Sequence, residues 1–321
     1  MTVRFDDQVV VITGAGRGIG RSHALGFAHR GARVVVADAG TELFGVGHDE
    51  QLATAVVDEI HAAGGEAIAY SADLATEDGA RGAIRVAVDT WGRIDVVVHN
   101  AGFTSGGRAF ETESLDRLDA QLAINSRAAF ALAQQAWSIM QAQGYGRIVF
   151  TSSSALHGLA RSIPYSTAKA SLVGLTRGLA AEGAGHGIIV NAVEPVGATR
   201  MAQNLAASEF RDWFLATMDP ALVTPVVLAL AHADCAVTGE ILVAGGGRVG
   251  RTIFAETDGW IDRRLTAESV LSHLDEVIAD QRIHILADGV HASAHHAALL
   301  GFQPTEPITI AAGSSGDKEN R

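Results

Sequence analysis

Val9-Val-Val-Ile-Thr13-Gly14-Ala-Gly-Arg17-Gly18-Ile19-Gly20 decides the fold of this chain. An apolar run without polar alternation predicts a strand buried on both faces. The glycines that follow let the backbone turn tightly and approach a pyrophosphate, whose charge suits the N-terminus of the helix that begins there. The alternative is a glycine-rich strand-to-helix turn with no ligand. Outward from this unit the pattern repeats. Short β-branched runs at 33–38, 67–70, 94–99, 147–152, 188–193 and 241–244 alternate with helical stretches such as 18–30, 51–63, 118–141 and 165–182. Repeated βα units predict an α/β fold with a parallel, doubly wound sheet and helices on both faces.

An acid closes the second strand, Val34-Val-Val-Ala-Asp38. A carboxylate there accepts hydrogen bonds from the ribose hydroxyls of NAD and repels the 2′-phosphate of NADP. NAD is therefore expected, with NADP less favoured. Arg17 is the opposing signal, because a cation in the loop would attract that phosphate. Asp73 follows the third strand and either bonds the adenine or caps the next helix. Asn100-Ala101-Gly102 follows the fourth, where small residues let the backbone lie along a cofactor or simply turn.

The 321 residues are 48% hydrophobic and 19% charged, enough for a large core. A net charge of −12 argues against nucleic acid or an anionic membrane as partner. The single cysteine, Cys235, excludes an internal disulfide and suits a reducing compartment. The N-terminus lacks a signal-peptide pattern and no apolar run reaches membrane-spanning length, so a cytoplasmic enzyme is expected. Residues 1–250 are expected to form the catalytic domain. Residues 251–310 form an extension with an amphipathic helix at 265–279 and a strand or helical piece at 283–287. Residues 311–321, polar and rich in Gly and Ser, are expected to be disordered. No metal ligands are assigned.

Ser162-Ile-Pro-Tyr165-Ser-Thr-Ala-Lys169 carries the chemistry. Tyr165 and Lys169 share one helix face. An ammonium beside a phenol lowers its pKa from about 10 and makes it a general acid/base for an alcohol or ketone.

Thr13-Gly14-x-x-x-Gly18-x-Gly20, Asp73, Asn100-Ala101-Gly102, Asn125, the serines at 152–154 and Tyr165-x-x-x-Lys169 together resemble the short-chain dehydrogenase/reductase family over roughly residues 5–247. The resemblance implies a Rossmann-type domain, an NAD(P)-dependent oxidoreductase acting on CH–OH, and a homotetramer or homodimer. It implies that Tyr165 transfers the substrate proton, that Lys169 tunes Tyr165 and holds the nicotinamide ribose, and that Asn125 holds a water linking Lys169 to solvent. A serine orients the substrate oxygen. Strand register favours Ser153, spacing from Tyr165 favours Ser152, and only one of them points at Tyr165 if both are extended. The implied cofactor positions are Gly14, Arg17, Gly18, Ile19, Gly20, Asp38, Asp73, Leu74, Asn100, Ala101 and Gly102. Tyr165, Lys169, Pro195, Val196, Gly197 and Thr199 complete that set.

Asp38-Ala-Gly with the loop through Phe44-Gly-Val-Gly47, Tyr145-Gly-Arg-Ile and Glu194-Pro-Val-Gly-Ala-Thr-Arg-Met201 are similar to the dehydrogenase unit of peroxisomal multifunctional enzymes that oxidise (3R)-hydroxyacyl-CoA. His99, Ala128 and the residue after Glu194-Pro195 depart from the family pattern. The apolar Met201, Leu205, Phe210, Trp213, Phe214 and Met218 suit a pocket for an acyl chain or sterol, or else a helix packed on the core. His157 contacts substrate or is a plain loop residue. The expected substrate is a 3-hydroxyacyl thioester. The alternatives are a hydroxysteroid or other apolar secondary alcohol, and, in a different class, a non-catalytic NAD sensor or scaffold.

Overall fold

The computed structural model describes residues 2–42, 44–104, 106–200 and 207–302. Met201, Leu205 and the expected disordered stretch 311–321 lie outside them. The chain divides into two compact units, 1–252 and 253–321.

The first unit is built on β1 (Val9–Thr13), β2 (Arg33–Ala37), β3 (Glu66–Tyr70), β4 (Val96–His99), β5 (Gly146–Thr151), β6 (Ile188–Pro195), β7 (Ile241–Gly245) and β8 (Arg248–Thr252). They form one eight-stranded sheet in the order β3-β2-β1-β4-β5-β6-β7-β8. All neighbours are parallel except β7 and β8, a terminal antiparallel pair. β8 runs across residue 250, where the sequence pattern suggests a boundary. The strand order reverses between β1 and β4, and a doubly wound sheet opens its binding crevice at the carboxyl ends of such strands.

The apolar runs bury both faces. Val9 and Val11 of β1 enter one core with Ile84, Leu132, Phe150 and Leu172, while Val10 and Ile12 enter another with Phe27, Ile60 and Leu228. Helices α1 (Gly18–Ala28), α2 (Gln51–Ala62), α3 (Glu77–Trp91), α4 (Leu115–Leu122), α5 (Ala128–Gln143), α6 (Ile163–Glu182), α7 (Glu209–Thr217) and α8 (Thr224–Ala231) connect the strands. Pro164 sits in the first turn of α6, where its missing N–H costs nothing. The single helix expected over 118–141 is instead two helices joined by a π-helical turn, Ala123–Arg127. Such turns interrupt the regular ladder and recur at functional sites. Here the turn buries Asn125 completely.

Asp95 pins the amino ends of the central strands. Its fully buried carboxylate accepts from the Val9 N–H at 2.8 Å and from Arg93 Nε and Nη2 at 2.8 and 2.7 Å. Its backbone bonds Val9 on one side and Arg147 on the other.

The second unit pairs β9 (Ala255–Thr257) antiparallel with β10 (Ile283–Ile285), which settles 283–287 as starting in a strand. It carries α9 (Ala267–Ala279), opened by a Thr266–Ser269 capping box, and α10 (Gly289–Leu299). Among the described residues no single helix is long and apolar enough to cross a membrane.

Replacing Asp95 by Ala leaves the Val9 N–H and the Arg93 guanidinium without their buried acceptor. The expected loss is about 1.5–3 kcal/mol, the range for hydrogen bonds to charged groups, and urea melts measure it.

Candidate active site

Thr13 ends β1 and Asn100 follows β4. The Thr13 Oγ1 accepts from the N–H groups of Asn100 and Ala101, both at 3.0 Å. With its lone pairs so engaged, its proton points to Nδ1 of His99, 3.0 Å away. His99 Nδ1 is thus an acceptor, which requires an uncharged ring. Burial indeed pushes the His99 pKa down to about 3, and the nearby Lys169 charge adds to the effect. The departure at His99 therefore places a neutral hydrogen-bonding group beneath the site. Asn100 Nδ2 donates to the carbonyls of Thr13 and Gly14, both at 3.2 Å.

This junction forces the glycines. Gly14 has φ +64°, and a Cβ there would lie 2.8 Å from the α-carbon of Ala101. A Cβ on Gly20 would collide with the Gly14 carbonyl oxygen. The result is a cradle with no side chain at positions 14, 16, 18 and 20 at the N-terminus of α1, which fits a dinucleotide pyrophosphate. The Asp38 carboxylate braces it, accepting from Gly16 N–H at 2.7 Å and from Gly40 N–H at 2.8 Å. Arg17 donates to the Thr41 carbonyl at 2.6 Å, and Arg200 lies 3.4 Å from the same oxygen. Two cations thus accompany Asp38, where the sequence drew attention only to Arg17. Asp73 does not cap the helix that follows. Thr76 does, accepting from Gly79 N–H, while Asp73 accepts from Ala75 N–H and Leu74 is buried.

The loop after β6 returns to the cradle. Val196 N–H donates to Ala244, and Ala198 N–H to Met218. A Cβ on Gly197 would lie 3.2 Å from Ile19, and one on Gly18 would lie 3.7 Å from Thr199. Pro195, the last residue of β6, pairs with Ala244 of β7.

Tyr165, Lys169 and Asn125 meet at the far end of this trough, all buried. Lys169 Nζ donates to the Thr151 carbonyl at 2.8 Å and lies 5.7 Å from the Tyr165 ring centre. Burial pushes the Lys169 pKa down to about 7. A Cβ on Gly102 would clash with Asn125 Oδ1 and lie 3.3 Å from Lys169 Nζ, so only glycine lets this loop lie against Asn125 and Lys169. Asn125 Nδ2 in turn donates to the Gln121 carbonyl at 3.0 Å.

The two serines separate by face. Ser152, buried, donates to the Lys169 carbonyl at 3.0 Å and braces α6. Ser153, whose Oγ accepts from Ala155 N–H at 3.2 Å, is the side chain that acts on the Tyr165 hydroxyl and favours its ionised form. One expectation is reversed: the Tyr165 pKa is raised, not lowered. Burial dominates, the Ser153 hydrogen bond opposes it, and Lys169 is itself close to losing its charge.

Sequence reasoning missed one pair. His157, on a short 3-10 turn after the serines, lies with Nε2 3.3 Å from Oε2 of the buried Glu194. Thr252 Oγ1 donates to the other carboxylate oxygen at 2.5 Å. His157 and Glu194 each stood out singly, but their partnership depends on β5, which leads into the His157 turn, pairing with β6. Helix α7 buries none of its residues, which removes the reading of a helix packed on the core. Phe210 and Trp213 are each at least half exposed.

The short chain dehydrogenase family model matches residues 8–209. A protein of Mycobacterium tuberculosis named as a short-chain type dehydrogenase/reductase is 41% identical over 79% of this chain and 87% of its own. Mouse peroxisomal multifunctional enzyme type 2 is 37% identical over 86% of this chain, which spans only 37% of that enzyme's length. A (2S)-[(R)-hydroxy(phenyl)methyl]succinyl-CoA dehydrogenase subunit of Thauera aromatica is 34% identical over 75% of this chain and 96% of its own. The crystal structure of a short chain dehydrogenase from Mycobacterium avium superposes with a TM-score of 0.74 at 37% identity, covering 86% of this chain and 96% of that one. With its Rossmann-like sheet and this breadth of match, the chain belongs to the short-chain dehydrogenase/reductase family, oxidoreductases that use nicotinamide dinucleotide cofactors.

Proposed function

We propose that this protein interconverts a secondary alcohol and a ketone with NAD, on a 3-hydroxyacyl-CoA-type substrate. Buried Tyr165 and Lys169, with Lys169 Nζ 5.7 Å from the Tyr165 ring centre and Asn125 and Ser153 beside them, carry the proposal. Bound NAD supplies the acceptor for the carbon-bound hydrogen and its electron pair. Ser153 and Tyr165 hold the substrate oxygen between two hydroxyls. In oxidation the alcohol proton passes to the Tyr165 oxygen, and in ketone reduction Tyr165 returns it. Lys169 lies behind the ring with Asn125 at its side, and the two are placed to exchange that proton with solvent through a water. Gly14, Gly18, Gly20, Asn100, Ala101 and Gly102 would hold the dinucleotide by backbone approach, with Ile19, Leu74, Val196, Gly197 and Thr199 around it.

Asp38 supports NAD over NADP, because a 2′-phosphate beside a carboxylate is repelled. Arg17 and Arg200 are the groups that would favour the phosphate. The substrate class rests on the two relatives whose names specify a multifunctional peroxisomal enzyme and a hydroxyacyl-CoA-type dehydrogenase. The exposed apolar face of α7 supports an apolar substrate. A hydroxysteroid is the second reading on the same face. A cytoplasmic homodimer or homotetramer completes the proposal.

Tyr165→Phe is expected to lower kcat/KM for NAD reduction by at least about 10²-fold while leaving NAD affinity unchanged. Steady-state assays across hydroxyacyl-CoA and hydroxysteroid substrates measure it. If the wild type binds NAD yet turns over none of them, the chain is a nucleotide-binding protein without this activity.

The direction of the Tyr165 shift sets the pH profile. Oxidation needs the deprotonated phenol, whose pKa lies above its usual value, so kcat/KM for oxidation rises toward alkaline pH. Ser153→Ala removes the opposing hydrogen bond and moves that limb further alkaline. An unchanged profile would exclude Ser153 as the group that tunes Tyr165.

Asp38→Ser removes a like-charge contact that costs several kcal/mol. The NAD-to-NADP ratio of kcat/KM is expected to fall at least about tenfold, the equivalent of about 1.4 kcal/mol. A wild-type preference for NADP would instead assign the pocket to Arg17 and Arg200.

A further inference from the structure

We propose that Asp258, His284 and His295 form a binding site for a divalent transition-metal cation, zinc by its ligand set, in the C-terminal unit. The inference is independent of the dehydrogenase reading, since all three residues lie within 253–302. Asp258 follows β9, His284 is the central residue of β10, and His295 is on α10. Each presents one donor atom, and the three atoms lie within 4.8 Å of one another. Asp258 Oδ1 is 2.7 Å from His284 Nε2 and 4.0 Å from His295 Nε2. Four ligands around zinc at about 2.05 Å sit about 3.3 Å apart, a value between these two. Modest rotation of the imidazoles, whose ring centres are 4.2 Å apart, brings both nitrogens onto one ion. Two imidazole nitrogens and one carboxylate oxygen suit zinc and leave a fourth position for water.

Two further observations point to an ion. Asp258 Oδ1 and His295 Nε2 are buried, and neither makes a hydrogen bond of acceptable direction. Such atoms are costly unless something occupies the space between them. The only cation beside them is Arg282, 3.3 Å from the other oxygen of Asp258 among the described residues. Its guanidinium is shared with the Asp280 carboxylate at 2.8 and 3.0 Å and the Gly259 carbonyl at 3.0 Å. Arg282 therefore holds the Asp258 side chain with Oδ1 turned toward the two histidines, as a supporting group does for a metal-bound carboxylate.

Among its described residues the unit also has too little core to hold it without a staple. Neither α9 nor α10 buries a residue, and Leu286 is the only buried hydrophobic residue among the described residues after Thr252. Units this small are commonly stabilised by a metal, disulfides or association. Cys235, the single cysteine, lies outside the unit and excludes an internal disulfide. A bound cation would tie the end of β9, β10 and α10 together at one point.

Zinc titration of the full-length, chelator-treated chain against a chromophoric competitor tests the site. The expected result is one zinc per chain with a Kd of about 1 μM or tighter. His284→Ala and His295→Ala should each weaken it at least about tenfold, while His186→Ala, an exposed loop histidine in the first unit, leaves it unchanged. His295→Cys guards against simple misfolding, because cobalt bound there gains a sulfur-to-metal charge-transfer band absent from the wild type. Absence of one-per-chain uptake, uptake indifferent to both His→Ala variants, or a cobalt-loaded His295→Cys chain without that band would overturn the site.

Discussion

The Thr13 hydroxyl is the constraint on which the site depends. It accepts from two consecutive N–H groups beyond β4 and directs its own proton to His99. The ends of β1 and β4 are thereby held so close that Gly14 lies against Ala101 with no room for a side chain. Everything downstream inherits that spacing. The dinucleotide cradle opens where the sheet order reverses, and Gly102, next along the same strip, comes against Asn125 and Lys169.

The electrostatics of the catalytic end follow from burial more than from pairing. Lys169 is enclosed, so its ammonium is close to losing its proton near neutrality, and Tyr165 beside it is pushed the other way. A helix-face argument places the two side chains correctly, yet it overstates the charge that Lys169 offers. Dry surroundings disfavour both ionised forms together. Ser153 is the neighbour whose hydrogen bond works against the desolvation of the phenol, which gives it an electrostatic part as well as an orienting one.

Much of the fold was legible because its signals are local. Unbroken apolar strands, Ala-rich helices and a glycine turn each declare themselves within a short window, and their alternation dictates a parallel sheet. The helix over 118–141 was legible as a helix but not as two, since apolar spacing does not mark the π-helical turn that holds buried Asn125. Asp73 shows the same limit: a carboxylate ahead of a helix reads as a cap, but Thr76 stands nearer to the first free N–H groups and takes that part.

By itself the sequence determined the α/β architecture, the glycine cradle, the acid at Asp38 and the shared face of Tyr165 and Lys169, because each depends on periodicity or on near neighbours along the chain. Only the tertiary structure decided which serine meets Tyr165, that Arg200 joins Arg17, that His157 pairs with Glu194, and that Asp258, His284 and His295 converge. Those outcomes rest on strand register and on segments distant in sequence, where a one-residue slip or a different crossing would exchange one partner for another.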